Sequence, residues 1–532
     1  MEKLQISCFV LTDEALLCYE LFSMVWNFLA LYASIMLCLS YWFSGHLYIL
    51  GMISVRTRVD LYSTSFFILL GVVRGGVVVW SYYYMDGEAA FHRFILLLII
   101  FLRSIVALIF FSNLFITLIG WDGLGLSSFL LVIYYKNRKS LGSGMITALT
   151  NRLGDCFFFC WIGFFLADGY NSIVLLLILL LSITKSAQVP FSSWLPAAMA
   201  APTPVRALVH SSTLVTAGVY LLIRYCHTDS GTLIYVGCVT MVMAGLRATV
   251  ERDIKKVVAL STLSQLGVIM ISIGAQEKSY CFFHLISHAS FKALLFLCIG
   301  TRIHILYGRQ DHRRFNMLQS TLFVSIFSSV AILSLIGFVY RSGFYRKDRI
   351  LESLYKSDVS SWLVCSFLLG IGLTSCYSVK LLMRTMLVGS LTGTTMSSYG
   401  APVWSIKSPF FLLGFLSISI GTIIRNYRRL LFIPLNLWEK IIPLCVIVMG
   451  VFIGYVLPRG TNSFLRSLFT LTPLSQLGSK FSLFFVQQKL IDKGWVERAT
   501  LSVTSLSSSL IHQYIPVMVL GLRSLILVIF FY

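Results

Sequence analysis

Residues Ser172–Pro190, SIVLLLILLLSITKSAQVP, combine a long apolar run with a lysine and a proline. Nine apolar residues precede Ser182, Lys185 follows three residues later, and Pro190 comes five residues after the lysine. A proline inside a spanning helix frees a backbone carbonyl and bends the helix axis. Further prolines continue the interruption at Pro196, Pro202 and Pro204. The stretch therefore predicts a membrane helix that breaks beside an ionisable side chain, as helices of transporters do near the midplane.

The composition of the whole chain is that of a polytopic membrane protein. Of its 532 residues, 57% are hydrophobic and 12% are charged, whereas soluble domains carry about 25% charged residues. A spanning helix needs about 20 mainly apolar residues, and about fifteen such stretches occur. They lie near Phe22–Trp42, Tyr62–Tyr84, Arg93–Phe111, Ser112–Tyr134, Cys156–Leu166, Ile173–Val189, Ala207–Arg224, Leu233–Leu246, Ile254–Gly274, Tyr280–Gly300, Thr321–Gly337, Trp362–Thr385, Pro409–Ile424, Ile441–Val456 and Tyr514–Tyr532. The runs do not alternate, so we expect an all-α polytopic membrane protein with about fifteen transmembrane helices.

The net charge of +21 does not indicate a nucleic-acid partner. Lys and Arg lie in short loops between apolar runs, as in Lys136–Lys139, Arg302–Arg314 and Arg425–Arg429. Contact with phospholipid headgroups and the positive-inside bias explain that pattern. The basic stretch Arg341–Arg349 falls on the opposite side by the helix count, so charge bias leaves the orientation of the second half open.

Redox cofactors are not expected in this chain. Its twelve cysteines are scattered and form no CxxC pair. Cys156 and Cys160 lie four residues apart on an apolar helix, which indicates packing rather than metal ligation. The sequence also has no glycine-rich dinucleotide fingerprint and no iron–sulfur spacing.

Several ionisable residues interrupt apolar runs, where each costs about 3 kcal/mol on insertion scales. Asp122 lies within Gly120–Leu126, and Lys185 lies beside the proline break. A low dielectric disfavours the ammonium form of lysine, and a nearby carboxylate favours it. A lysine between these two effects can load and release protons, although snorkelling or a salt bridge to a neighbouring subunit would also explain its presence.

A second group of polar residues lies on one helix. His284, His288 and Lys292 are four residues apart and therefore share one stripe. A water-lined proton path is the natural interpretation of three such groups on a spanning helix. His210 forms a polar step after the prolines.

Two further pairs have ordinary structural interpretations as well. Asp253 and Lys255 open a helix, where a solvated boundary pair is equally consistent with the sequence. Lys347 and Asp348 follow an apolar run and could form a loop ion pair of little energetic value.

Blocks of sequence in matching order resemble the antiporter-like proton-translocating subunits of NADH dehydrogenase. These blocks are Lys185–Gly218, Arg252–Gly267, His284–Leu295, Gly308–Asp311 and Gly343–Asp348, and the resemblance covers roughly residues 60 to 390. The family also includes subunits of multi-subunit sodium/proton antiporters. The branch with a lateral C-terminal helix is matched best, on Gly308–Asp311, Leu373–Lys380 and the tail motif Leu490–Glu497.

The resemblance implies two related helix bundles, each with a broken helix. An N-terminal transmembrane region would cover residues 1–59, without the family's usual first helix because 1–21 are too polar. The first antiporter-like half would cover 60–225, and the second half with its following helices 226–457. A lateral amphipathic helix would cover 458–512 and a terminal anchor 513–532.

The resemblance also assigns a proton path residue by residue. Asp122 stands where the family has a glutamate that pairs with the lysine at Lys185, and His210 matches a bridging histidine. The remaining matches are Lys292 as the central lysine with His284 and His288 beside it, Lys347 and Asp348 in the second half-channel, Asp253 and Lys255 as a linking pair, and Arg152 and Asp155 as a further polar step.

Some positions depart from the family's pattern. Asp122 is one methylene shorter than glutamate, and Val339 occupies a position where a helix-breaking proline is expected. Cations also stand where the family is usually small or neutral, or inside apolar runs: Arg206, Arg341, Arg346, Arg349, Arg74 and Arg103.

The implied function is proton pumping in the membrane arm of an NADH:ubiquinone oxidoreductase, coupled to quinone reduction in partner subunits. Flavin, iron–sulfur clusters and ubiquinone would belong to those partners, and the adjacent antiporter-like subunit and phospholipids such as cardiolipin would contact this chain. The mitochondrial inner membrane is the expected location, with a bacterial plasma membrane as the alternative. A subunit of a sodium/proton antiporter and a scaffold that no longer pumps are the rival interpretations.

Overall fold

A computed structural model describes most of the chain between residues 59 and 456. The described ranges are 59–88, 90–169, 171–225, 231–305, 322–338, 342–356, 360–386, 404–427 and 437–456. Residues 308 and 310 and the two strands of a short hairpin, 47–49 and 53–55, are described as well. The span predicted near Phe22–Trp42, the lateral helix at 458–512 and the anchor at 513–532 lie outside the described residues. Arg341 and the side chain of Arg346 do so as well.

The described chain is almost entirely helical. The hairpin pairs β1 (Leu47–Ile49) with β2 (Ile53–Val55) antiparallel, with Tyr48 opposite Ser54. The helices in chain order are α1 Leu61–Tyr84, α2 Phe91–Phe110, α3 Leu114–Val132, α4 Arg138–Asp168, α5 Ser172–Lys185, α6 Trp194–Ala197, α7 Thr203–Tyr225, α8 Gly231–Val250, α9 Ile254–Gly274, α10 Lys278–Ile305, α11 Leu322–Ile336, α12 Ser342–Lys356, α13 Ser361–Met386, α14 Trp404–Tyr427 and α15 Leu437–Val456.

Within the described residues, eight helices are long and apolar enough to cross a membrane: α1, α2, α3, α7, α8, α9, α10 and α13. Helices α5, α11, α14 and α15 are apolar but shorter. The prediction of an all-α polytopic membrane protein is confirmed. The number of about fifteen spans stays a prediction, because several helices are short or polar and both ends of the chain lie outside the described residues.

The centre of the bundle consists of three helices whose polar side chains face protein. The spanning segments of α7 and α9 are buried along their whole length. Helix α10 packs against α1, α7, α9, α11, α12 and α14. Because the spanning segments of α7 and α9 are wholly buried and that of α10 is 89% buried, His210, His284, His288 and Lys292 lie inside the bundle.

The first helix break follows Lys185. Helix α5 ends at that residue, and Ala187 adopts a left-handed conformation with φ of 56°. The indole Nε1 of Trp194, at the start of α6, donates a hydrogen bond to the Thr184 carbonyl oxygen at 3.0 Å. This bond strengthens the interrupted helix end, where the same carbonyl also accepts a long hydrogen bond from the Ala187 amide at 3.4 Å.

The second break occurs without the expected proline. Helix α11 ends at Ile336, and Gly337 follows with φ of +82°. The amides of Gly337 and Phe338 both donate to the Leu333 carbonyl oxygen at 3.2 Å, which closes the helix end in the way left-handed glycines commonly do. Val339 lies outside the described residues. Lys347 and Asp348 lie on α12, so the alternative interpretation of a loop pair is wrong.

Replacement of Gly337 by alanine tests this break. A Cβ there would lie 3.3 Å from the Lys347 Cδ atom in a backbone conformation that L-residues avoid. We expect Gly337→Ala to destabilise the protein by about 1–2 kcal/mol, measured as a lower melting temperature of the purified complex. Gly163→Ala is the matched control, because nothing surrounds its Cβ position and α4 is helical there. Equal melting temperatures for the two variants would contradict the prediction.

Candidate functional site

Lys185 is fully buried at the C-terminal end of α5. Its Nζ donates a hydrogen bond to the Trp121 carbonyl oxygen of α3 at 3.1 Å and lies 4.5 Å from the centre of the Trp121 ring. Gly125, one turn further along α3, also adjoins the amine, since a Cβ at that position would be in ordinary van der Waals contact with Nζ at 3.6 Å. A carbonyl and an aromatic face thus replace part of the water that the ammonium would have in solution.

Two carboxylates act electrostatically on Lys185, and Asp155 of α4 contributes more than Asp122 of α3. Asp155 is buried, and its Oδ2 accepts a hydrogen bond from Arg152 Nη1 at 3.3 Å. Neither carboxylate forms a direct ion pair with Lys185 in the described part of the chain. The family resemblance pairs Lys185 with Asp122 alone, whereas the structure places both acids around it.

His210 lies in a π-helical turn, Val209–Thr213, inside α7. Such turns displace the helix register by one residue and are frequent at functional sites. The imidazole is buried, and its ring centre lies 6.3 Å from that of Trp194, whose indole closes the end of α5. His210 is thereby placed beside the first helix break.

Arg206 lies one turn before His210 and is also buried. One of its Nη atoms donates to the Ala201 carbonyl oxygen, whereas Nε and the other Nη have no hydrogen-bond partner among the described residues. This guanidinium acts electrostatically on both His210 and Lys255. The unusual cation noted in the sequence therefore lies close enough to influence two residues of the expected path.

Lys292 is fully buried on α10, and its Nζ donates to the Ser261 Oγ of α9 at 2.5 Å. No ion pair with a carboxylate reaches it from any residue that the structure describes. His284 and His288 lie on the same helix, are fully buried, and have stacked rings with centres 6.3 Å apart. The structure thus brings the three polar residues of α10 together inside the bundle.

Lys347 lies on α12 and is 4% exposed. Its Nζ donates to the carbonyl oxygens of Leu335 at 3.3 Å and Ile336 at 2.7 Å, and to the Thr374 Oγ1 at 3.0 Å. The two carbonyls are the last ones of α11, where the helix dipole favours a cation. Asp348 beside it is partly buried.

Asp253 and Lys255, which match a linking pair of the family, form no direct ion pair with each other among the described residues. Asp253 instead forms an ion pair with Lys256 at 3.2 Å, and these two side chains are 35% and 43% exposed. Lys255 is half-buried. This geometry favours the boundary-pair interpretation for Asp253, since exposed pairs of this kind contribute about 0.2–1 kcal/mol.

Four polar residues beside the lysines escaped the sequence analysis. They are Ser261 and Ser264 on α9, and Thr374 and Tyr377 on α13. Each pair has a spacing of three residues and lies within a block that resembles the family, but both helices carry further serines and threonines, so the spacing does not single these residues out. Their pairing across helices depends on packing and is not encoded in any local pattern.

The fold and the buried ionisable side chains define a polytopic membrane protein of the proton-translocating class. A family model described as "NADH:quinone oxidoreductase/Mrp antiporter, TM" matches residues 112–374. NADH-ubiquinone oxidoreductase chain 5 of Locusta migratoria is 40% identical over 463 residues, covering 82% of this chain and 80% of the relative. The Lumbricus terrestris protein of the same name is 39% identical over 465 residues, covering 80% of each. The chain belongs to the NADH-ubiquinone oxidoreductase chain 5 family.

Solved structures with low sequence identity share the fold. The Mrp complex from Dietzia sp. DQ12-45-1b contains a chain with a TM-score of 0.65 and 20% identity, matched over 89% of this chain and 58% of that chain. A chain of the membrane-bound sulfane sulfur reductase, an archaeal respiratory membrane complex, has a TM-score of 0.63 and 20% identity, with 76% and 85% covered.

The different surroundings of the acids predict different costs of removing them. Asp253→Asn breaks an exposed ion pair and should cost at most about 1 kcal/mol. Asp155→Asn removes a buried carboxylate that acts on Lys185 and should cost about 3–5 kcal/mol if the ammonium stays charged. Chemical denaturation of the purified complex measures both, and equal losses would refute the assignment of Asp155 to the site.

Proposed function

We propose that this chain carries protons through the membrane along a row of side chains that includes Lys185, His210, Lys292 and Lys347. The observation that supports the proposal best is the burial of the three lysines, each of which donates to a carbonyl or hydroxyl oxygen. An amine inside a membrane protein is costly. Three of them on the interior faces of one bundle are the pattern that proton carriers in a membrane protein would give.

Membership of the chain 5 family makes this chain a membrane subunit of NADH-ubiquinone oxidoreductase. Its relatives are animal proteins, and it is a multi-pass protein of the mitochondrial inner membrane rather than of a bacterial plasma membrane. Other membrane-arm subunits are its partners. We assign flavin, iron–sulfur clusters and ubiquinone to those partners, and expect an adjacent antiporter-like subunit and cardiolipin to contact this chain.

The proposed first step is a change in the electrostatic environment of Lys185. Its ammonium is stabilised by the Trp121 carbonyl and by the charges of Asp155 and Asp122. A movement of α3 or α4 that takes these groups away would destabilise the ammonium and release its proton toward His210. Return of the carboxylates would restore the proton affinity of Lys185.

The later steps pass from His210 to Lys292, with His284 and His288 beside it, and then to Lys347 and Asp348. Moving one charge against 100 mV requires about 2.3 kcal/mol. A few kcal/mol of electrostatic change at Lys185 therefore suffices for each proton, and redox chemistry in the partner subunits supplies it.

The rival functions would use the same fold differently. A sodium/proton antiporter subunit would work without a redox partner, and the likeness to an Mrp complex concerns the fold alone. A non-pumping scaffold would act through its C-terminal segment, 458–532, which lies outside the described residues. The chain 5 relatives favour the pumping subunit over the antiporter.

Replacement of Lys185 tests the proposal. Lys185→Ala should abolish proton translocation or cut it strongly while the complex still assembles, because it removes the first proton carrier. The measurement is acidification by reconstituted vesicles during NADH oxidation, with assembly followed on a native gel.

Lys256→Ala is the matched control, since its amine is exposed and, among the residues that the structure describes, pairs with Asp253 and Glu251 at the helix boundary. Translocation should be unchanged in this variant. Full pumping by the Lys185→Ala complex would defeat the proposed function.

A further inference from the structure

A small apolar cluster lies in the space between Lys292 and Lys347 inside the bundle. Five buried residues form it: Ala248, Leu260, Phe291, Leu335 and Tyr377. Phe291 directly precedes Lys292, and the carbonyl of Leu335 accepts a hydrogen bond from Lys347. A dry cluster in this position would separate the two lysines unless one of its members carries a polar atom.

Tyr377 is the member that does. Its ring is 1% exposed, and its hydroxyl lies 2.9 Å from the Ser264 Oγ of α9. This contact joins α13 to α9 inside the bundle.

Hydroxyl groups continue from both ends of this contact toward the lysines. On α9, Ser264 lies three residues after Ser261, the hydroxyl that accepts from Lys292 at 2.5 Å. On α13, Tyr377 lies three residues after Thr374, which accepts from Lys347 at 3.0 Å. Residues three apart on a helix are neighbours on one face. Lys292 and Lys347 therefore each donate to a hydroxyl that lies one helical turn from the contact between Ser264 and Tyr377, and the turns themselves are spanned by no direct bond between the hydroxyls that the structure describes.

We propose that Tyr377, paired with Ser264, is the residue that relays protons between Lys292 and Lys347. The inference rests on the proposed function and adds a connection that neither the resemblance nor the row of ionisable residues supplies. The ring of Tyr377 fills the apolar cluster, and its hydroxyl passes the proton through it.

The chemistry of the relay conserves charge at every oxygen. A hydroxyl can accept a proton on a lone pair while it donates the one that it carries. One proton leaves the Lys292 ammonium for Ser261, one passes between Ser264 and Tyr377, and one arrives at the Lys347 amine from Thr374. In the proposed relay a water spans each of the two helical turns, from Ser261 to Ser264 and from Tyr377 to Thr374, and every oxygen breaks one O–H bond as it forms another. The Ser264 hydroxyl also donates to the Ser261 carbonyl oxygen at 3.0 Å. In that orientation Ser264 accepts from Tyr377, and after rotation of its hydroxyl it donates to Tyr377 instead.

A purely structural role for the hydroxyl makes a different prediction. Buried tyrosines usually find a hydrogen-bond partner merely to satisfy the hydroxyl. Loss of that bond would then lower stability and leave the rate of translocation unchanged.

Tyr377→Phe separates the two roles, because it removes one oxygen and keeps the ring in the cluster. We expect proton translocation by the reconstituted complex to fall below about a tenth of normal, since a positioned proton-transfer group contributes about 10² to 10⁴. NADH oxidation with an artificial electron acceptor and the amount of assembled complex should stay normal. Ser264→Ala removes the other half of the contact and should give the same loss, and the double variant should lose no more than either single one.

Tyr220→Phe is the matched control: its hydroxyl is also buried and donates to the Ile109 carbonyl oxygen at 3.2 Å, away from the row. It should translocate normally. Normal translocation by Tyr377→Phe or Ser264→Ala, while Lys185→Ala and Lys347→Ala are inactive, overturns the relay and leaves the proposed function standing. Normal translocation by both lysine variants overturns the function and the relay together. Should Tyr377→Phe fail to assemble, Ser264→Ala decides by the same criteria.

Discussion

The structure depends on one constraint, which is that a lysine inside a membrane protein needs partners that only the protein can supply. Lys185 takes a carbonyl and an indole from α3, Lys292 takes a serine hydroxyl from α9, and Lys347 takes the end of α11. Each of these partners belongs to a different helix from the lysine. The lysines therefore hold the helices in a particular relation, and the full burial of α7 and α9 follows from enclosing them.

The two helix breaks reach the same result by different backbone chemistry. After Lys185 the chain leaves the helix through Ala187 in a left-handed conformation and a proline-rich segment, and the Trp194 indole takes up a carbonyl. After Ile336 a single left-handed glycine ends the helix, and the Lys347 ammonium takes up the carbonyls. A proline is expected to break the second helix, but a glycine in the left-handed conformation ends it equally well.

The membrane class, the first helix break and the three lysines could be predicted from local sequence, because long apolar runs and isolated charges are visible residue by residue. It could not supply the partner of each charge. Asp155 acts on Lys185 more strongly than Asp122 does, and Asp253 binds Lys256 rather than Lys255. These outcomes depend on how α3, α4 and α5 pack and on which way a helix boundary faces. The contact between Ser264 and Tyr377 joins residues more than a hundred positions apart, and neither residue is unusual on its own helix.

The hydrogen bonds from Lys347 to the last carbonyls of α11 have a mechanical consequence. A charged amine holds a helix end more strongly than a neutral one, because charge-assisted hydrogen bonds are roughly twice as strong. Protonation of the Lys347 amine and the stability of the last turn of α11 are therefore linked, and the linkage is reciprocal. Any strain that frays the end of α11 therefore changes the proton affinity of Lys347. A displacement transmitted from a neighbouring subunit to this helix end would change whether Lys347 keeps or releases its proton.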